Sequence, residues 1–181
     1  MSINKIILQG FWLILIGGFG EGIMAQDTLM NNFPDKWRGE WSGELGIYKP
    51  TGKVQSLPMK LRISPSDSAE IWQWALIYEA AEPDVREYEL IVIDREKGHF
   101  LIDEKNSVKL DAWLLGNVLS CRFSVDETLL LVNYIFEEDQ IRFEIFAGSK
   151  TKINLTGEEL EEVDEIYTYP VTTMQRATLR R

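Results

Sequence analysis

Trp37-Arg38-Gly39-Glu40-Trp41-Ser42-Gly43-Glu44-Leu45-Gly46-Ile47-Tyr48 is the stretch that decides the fold class. Trp37, Gly39, Trp41, Gly43, Leu45 and Ile47 share one parity, and Arg38, Glu40, Ser42, Glu44 and Tyr48 share the other. Successive side chains of a strand point to opposite faces, so this pattern predicts a long strand with an apolar or glycine face and a mostly polar face. Glycine on the inner face lets a strand bend sharply, or lets a large neighbour lie against it. Tryptophan and glycine together on one face suit the first strand of a small closed barrel.

Working forward, Lys49-Pro50-Thr51-Gly52-Lys53 reads as a turn. Leu57, Met59, Leu61 and Ile63 then give a second strand with a clean inner face, in which Pro58 suggests an edge or a bulge. Ile71–Tyr78 places Trp72, Trp74, Leu76 and Tyr78 on one face, but Ile71, Ala75 and Ile77 make the other face partly apolar and leave the facing open. Tyr88, Leu90 and Val92 oppose Glu87 and Glu89. Shorter strands are expected at residues 98–103, 108–115, 118–125, 129–136 and 140–147, with Gly116-Asn117 as a two-residue hairpin signal.

Working backward, Phe33-Pro34-Asp35 reads as a single turn that plugs one barrel end ahead of Trp37. In the tail, Thr156-Gly157-Glu158-Glu159 matches a capping box for a short acidic helix to about Glu162. Val163, Glu165, Tyr167, Tyr169 and Val171 alternate into an expected last strand that pairs with the first. Arg176, Arg180 and Arg181 form a basic end, where an arginine could stack on Trp37 or Trp41. The fold class expected is all-β: a single antiparallel up-and-down barrel of about eight to ten strands, with a short acidic helix near the C-terminus. The organisation expected is a signal peptide over 1–25, a lead-in over 26–36, the barrel over 37–175 and the basic end over 176–181.

Lys5 followed by the apolar run Ile6–Gly20, with Ala25 before Gln26, has the form of a secretory signal, so export to the periplasm or the medium is expected. Once it is removed, no integral membrane segment is expected. The net charge of −10 and the lack of a basic patch interleaved with aromatics argue against a nucleic-acid partner. Cys121 is the only cysteine and His99 the only histidine, so neither a disulfide nor an ordinary metal site is expected, and no cofactor. Leu119 and Phe123 share the parity of Cys121, which predicts a buried thiol. A Ser/His/Asp triad would have to use His99, which lies on the parity opposite Phe100 and Ile102. The carboxylate pairs lie in turns and in the acidic tail. The sequence reads as a non-enzyme.

Gly39-Glu40-Trp41 at the start of a first strand, followed by a meander to Val171, resembles the calycin superfamily of lipocalins, fatty-acid-binding proteins and nitrobindin-like barrels. Its layout is similar to that of secreted lipocalin-like proteins of Gram-negative bacteria. The resemblance implies a barrel able to hold a small molecule. The first loop is shorter than in lipocalins, and there is no room for the two helices of fatty-acid-binding proteins. Those proteins hold a carboxylate with inward arginine and tyrosine, whereas Arg122 and Arg142 here fall on the outward parity and no inward arginine or lysine is apparent. The function expected is a secreted or periplasmic binding protein for a small hydrophobic molecule. Trp41, Trp72, Trp74, Tyr88, Phe123 and Tyr134 are the candidate ligand-binding residues, with Leu61, Leu110 and Phe143 on the same inner faces. The alternative is an envelope structural or interaction protein with a packed barrel and no ligand, because side chains can fill a small barrel or leave room for one ligand; a haem-binding or enzymatic barrel ranks behind both.

Export carries its own test. The mature protein recovered from the periplasm or medium is expected to begin near Gln26 by intact mass; full-length chain recovered in the inner membrane would overturn the reading.

Overall fold

The computed structural model describes residues 32–156 and 165–181. The signal-peptide segment, most of the lead-in and the acidic helix expected to end near Glu162 lie outside the described residues. Ten strands close into one antiparallel barrel. They are β1 (Gly39–Lys49), β2 (Gly52–Pro65), β3 (Ile71–Tyr78), β4 (Asp84–Asp94), β5 (His99–Asp103), β6 (Lys109–Leu115), β7 (Val118–Val125), β8 (Thr128–Glu137), β9 (Gln140–Ser149) and β12 (Thr173–Arg180). Between β9 and β12, β10 (Asn154–Thr156) and β11 (Ile166–Thr168) form a separate two-stranded sheet.

Each strand from β1 to β9 pairs with the next, and β12 fits between β9 and β1. The closing strand is therefore not the one that sequence alternation suggested. Ile166–Thr168 pairs with Asn154–Thr156 outside the barrel, and the arginine-rich segment closes it instead. In that segment Ala177 and Leu179 are buried, opposite Phe143 and Ile141 of β9. Arg176 faces outward beside Glu144 of β9 and donates from Nε to its carboxylate at 2.9 Å. A strand with only two buried apolar side chains looks like a solvated tail until its partners are known.

Register settles the facing of β3. Trp74 sits opposite Ile63 and Tyr88, and Leu76 opposite Leu61. Trp72, Trp74, Leu76 and Tyr78 therefore share the inner face with Leu61 and Ile63, both buried. Ala75 and Ile77 are buried on the other face. Pro58 lies within β2 opposite Glu44, neither at an edge nor at a bulge; the β1–β2 irregularity falls at Ile47/Tyr48.

Two glycines meet local demands. Gly116 has φ of 63° in the hairpin between β6 and β7, a conformation L residues rarely adopt. At Gly43 a Cβ would collide with the carbonyl oxygen of Thr178, so β12 approaches β1 closely only because position 43 lacks a side chain.

Tight barrel closure and the buried Trp41 occupy the same end of β1. Replacing Trp41 by alanine removes a fully buried indole and is expected to destabilise the fold by about 3–5 kcal/mol. Chemical denaturation of the Trp41→Ala protein checks this; an unchanged midpoint would place the indole outside the core.

Candidate functional site

The barrel interior has two unlike ends. At the first, the chain enters through Phe33 and the 3-10 turn Asp35–Trp37, both aromatics being buried. Phe33 meets Trp37 edge-on at 4.8 Å and Phe100 edge-on at 4.9 Å. Trp37 stacks on Phe136 at 5.5 Å. The expected plug is present, and it is fastened by polar bonds as well as apolar contact. Trp41 Nε1 donates to the Trp37 carbonyl at 2.8 Å, and Arg95 Nη1 donates to the Phe33 carbonyl at 3.0 Å. Arg181 lies 4.3 Å over the Trp41 ring and donates to the carbonyls of Lys36 and Arg38. Stacking of a C-terminal arginine on Trp41, which the sequence offered as a possibility beside a solvated end, is thus observed.

In the middle of the barrel, Trp74 meets Tyr134 edge-on at 5.1 Å, and Tyr134 meets Phe143 at 5.1 Å. Both rings are buried. Trp74 Nε1–H is buried without a well-formed hydrogen bond. Burial raises the Tyr134 phenol far above its ordinary range, Tyr78 adds to the rise, and the Trp74 indole N–H directed at the phenol oxygen opposes it. Cys121 is buried as expected, and desolvation pushes its thiol up to about 11. Such a thiol is a poor nucleophile at neutral pH.

At the second end the inward ring is only half-buried. Leu57, Tyr78, Tyr88, Leu110, Phe123 and Ile145 pack against the core but keep contact with solvent. Arg86 also belongs to this inner face. It lies opposite Leu76, two residues before Tyr88 and four before Leu90. Its Nε and Nη2 donate to Asp84 Oδ2 at 3.0 and 2.8 Å, and its guanidinium carbon stands 5.0 Å over the Tyr78 ring. The bond to Asp84 raises the Arg86 pKa further. Burial pushes the Tyr78 phenol up to about 12, and burial with Glu104 nearby also raises Tyr88. The sequence reading that no arginine points inward is corrected here. The signal was available: the alternation Tyr88, Leu90, Val92 runs back through Arg86 and Asp84.

The six candidate residues do not form one wall. Trp41 and Trp72 lie towards the plug, Trp74 and Tyr134 in the middle, and Tyr88 and Phe123 at the half-buried end. His99 is spent locally on the outer surface, with Nε2 at 2.7 Å from Asp111 and its ring stacked on Trp113 at 4.3 Å. No group of three or more His, Cys, Asp or Glu side chains suited to a metal ion occurs among the described residues. Arg122 lines an external groove of about 290 Å³ between β8, β9 and the Tyr169–Val171 segment. Arg142 is engaged by Glu137 at 2.9 Å.

No family model and no curated protein matches the chain. Solved structures do. An S-type phycobiliprotein lyase from Guillardia theta superposes with a TM-score of 0.60 at 8% identity, over 90% of this chain and 97% of that one. A protein of unknown function from the DUF3598 family of Nostoc punctiforme superposes with a TM-score of 0.54 at 13% identity, over 84% of this chain and 48% of that one. At these identities the likeness is one of fold: this chain's closed, ten-stranded antiparallel barrel. It also corrects the exclusion of enzymes. A barrel of this architecture belongs to a protein named as a lyase. The lack of a triad or metal constellation therefore does not class this chain as a non-enzyme.

The buried phenols and thiol set an alkaline limit on stability. Tyr78 holds its proton to about pH 12 in the folded chain against 10.0 ordinarily, and Cys121 to about 11 against 9.0. These raised values stabilise the fold below pH 9, and the contribution is lost as pH rises from about 9 to 12. Denaturant midpoints measured across that range are expected to fall, and less steeply in Tyr78→Phe. An identical slope in the variant would show that Tyr78 titrates as an exposed phenol.

Proposed function

We propose that the protein is an exported barrel that binds one small, largely apolar molecule through its half-buried end. The observation that carries this is the asymmetry of the interior. One end is filled by Phe33, Trp37, Phe100 and Phe136, whereas Leu57, Tyr78, Tyr88, Leu110, Phe123 and Ile145 ring the other and stay half-buried among the described residues. Concave apolar surface with a few convergent polar groups is the usual makeup of a ligand pocket. Export rests on Lys5 and the Ile6–Gly20 run. The likeness to a phycobiliprotein lyase supports small-molecule chemistry in a barrel of this shape and leaves open whether a bound molecule is carried or transformed.

The second reading, a packed interaction module of the cell envelope, draws its support from the plug half, where Trp37 contacts Phe33, Phe136 and Trp74 at centroid distances of 4.8–6.2 Å. The two readings differ at the half-buried end alone.

Phenylnaphthylamine, a neutral dye that fluoresces in apolar surroundings, separates them. Saturable enhancement with quenching of tryptophan emission is expected, weakened in Phe123→Ala. A folded protein that takes up no dye would favour the packed module.

A further inference from the structure

We propose that the molecule held in the barrel carries a neutral hydrogen-bond acceptor, a carbonyl-type oxygen, and that Trp74 and Tyr134 receive that oxygen inside the barrel. The inference rests on the ligand-binding reading above and narrows it to a chemical class.

An indole N–H only donates. Trp74 is 0% exposed, and its N–H lacks a well-formed hydrogen bond, the Tyr134 phenol oxygen being the acceptor close enough to feel it. An unmade bond of this kind is costly, and buried polar groups in native folds are nearly always paired. The aromatic neighbours of Trp74 and Tyr134, Trp37 and Phe143, bring rings to the contact rather than acceptor oxygens. Burial keeps the Tyr134 phenol protonated through the whole neutral range, so it too can donate. The Tyr134 phenol oxygen is an acceptor within reach of the Trp74 indole, so the pair holds two donors, N–H and O–H, against that one acceptor oxygen, and one donor is left over. The missing oxygen has to come from what enters.

The rim decides between a neutral oxygen and a charged one. Arg86 is the inward cation there, and Asp84 already holds its Nε and Nη2. Glu104 is close enough to act on both Tyr88 and Cys121. A ligand carboxylate would meet two carboxylates and one guanidinium already engaged, on a chain of net charge −10. Further in it would find no cation among the aromatics around Trp74, and an unpaired buried charge costs far more than a buried carbonyl. The site therefore selects a ketone, ester or amide oxygen on an apolar body and disfavours a free acid. Asp84 has a specific part in this: by occupying Arg86 it removes the one inward group that would otherwise reward an anion.

Three naphthalene dyes test the inference on the mature full-length chain: phenylnaphthylamine, its anionic sulfonate (anilinonaphthalene sulfonate) and a neutral ketone (dimethylamino-propionylnaphthalene), whose emission reddens when its carbonyl accepts a hydrogen bond. The ketone is expected to bind with red-shifted emission. Tyr134→Phe and Trp74→Phe are expected to weaken it about five- to tenfold more than they weaken phenylnaphthylamine, as for one lost hydrogen bond, and to shift its emission to the blue. The sulfonate is expected to bind less tightly than phenylnaphthylamine. Tyr134→Phe removes one oxygen and keeps the ring, so it remains informative if Trp74→Phe fails to fold. Equal losses for both neutral dyes, with no spectral shift, would mean that water meets the indole N–H and would overturn the inference while leaving ligand binding intact. A sulfonate that binds more tightly than phenylnaphthylamine would overturn the charge argument in the same way. Folded protein that binds neither neutral dye would remove the ligand-binding reading, and this inference with it.

Discussion

Pairing between β1 and β12 is the constraint on which the rest depends. Leu45 lies opposite Ala177 and Ser42 opposite Arg180, which joins the two ends of the barrel sequence. Without this pairing β1 and β12 would each present an open edge of unsatisfied backbone groups. With it, every barrel strand has two neighbours, and the inner faces enclose a single core. Most other ladders join neighbours in sequence across short turns, so they form locally. The β1–β12 ladder brings together residues more than a hundred positions apart, and its loop-closure cost is met only when the whole meander is in place. Gly43 is where this shows in a single residue, because the closing strand runs through the space its side chain would fill.

The sequence disclosed the strands better than it disclosed their partners. Ile71–Tyr78 and Val118–Val125 fall where alternation placed them, and the turn at Gly116-Asn117 is where glycine was needed. Alternation is a local signal, so it reports that a segment is extended and which residues share a face. It does not report what the segment lies beside. Val163–Val171 and Thr173–Arg180 both alternate, and the former, with its tyrosines and valines, looks more like a core strand. The barrel uses the latter, because Ala177 and Leu179 are enough on the inside where Trp41, Phe143 and Ile141 already fill the space.

The site was legible in its aromatics and hidden in its charges. Tyr134 was readable as an inward residue because Val132 and Phe136 at two-residue spacing are apolar, whereas the facing of Trp74 was open until its register with Ile63 and Tyr88 was known. Arg86 was passed over, because a charged residue next to a loop is ordinarily a solvated one, although the alternation from Tyr88 runs back through it; its register with Leu76 fixes the inward aim. The uneven burial that separates the two ends was also beyond sequence reading, since plug and rim use the same residue types. The enzyme question shows a further limit. A search for familiar catalytic constellations tests only known chemistry, whereas a barrel with the same architecture belongs to a lyase.

The fastening of the plug by Arg181, Trp41 and Arg95 has a consequence for traffic. Opening that end would mean breaking bonds that also help hold the barrel shut. On the proposed function, a ligand would therefore enter and leave by the half-buried end alone, and Trp74, Tyr134 and Phe143 beneath it would act as the stop of a ruler. A body longer than the depth to that stop would leave its excess in water, so selection by length would follow from where those three rings sit.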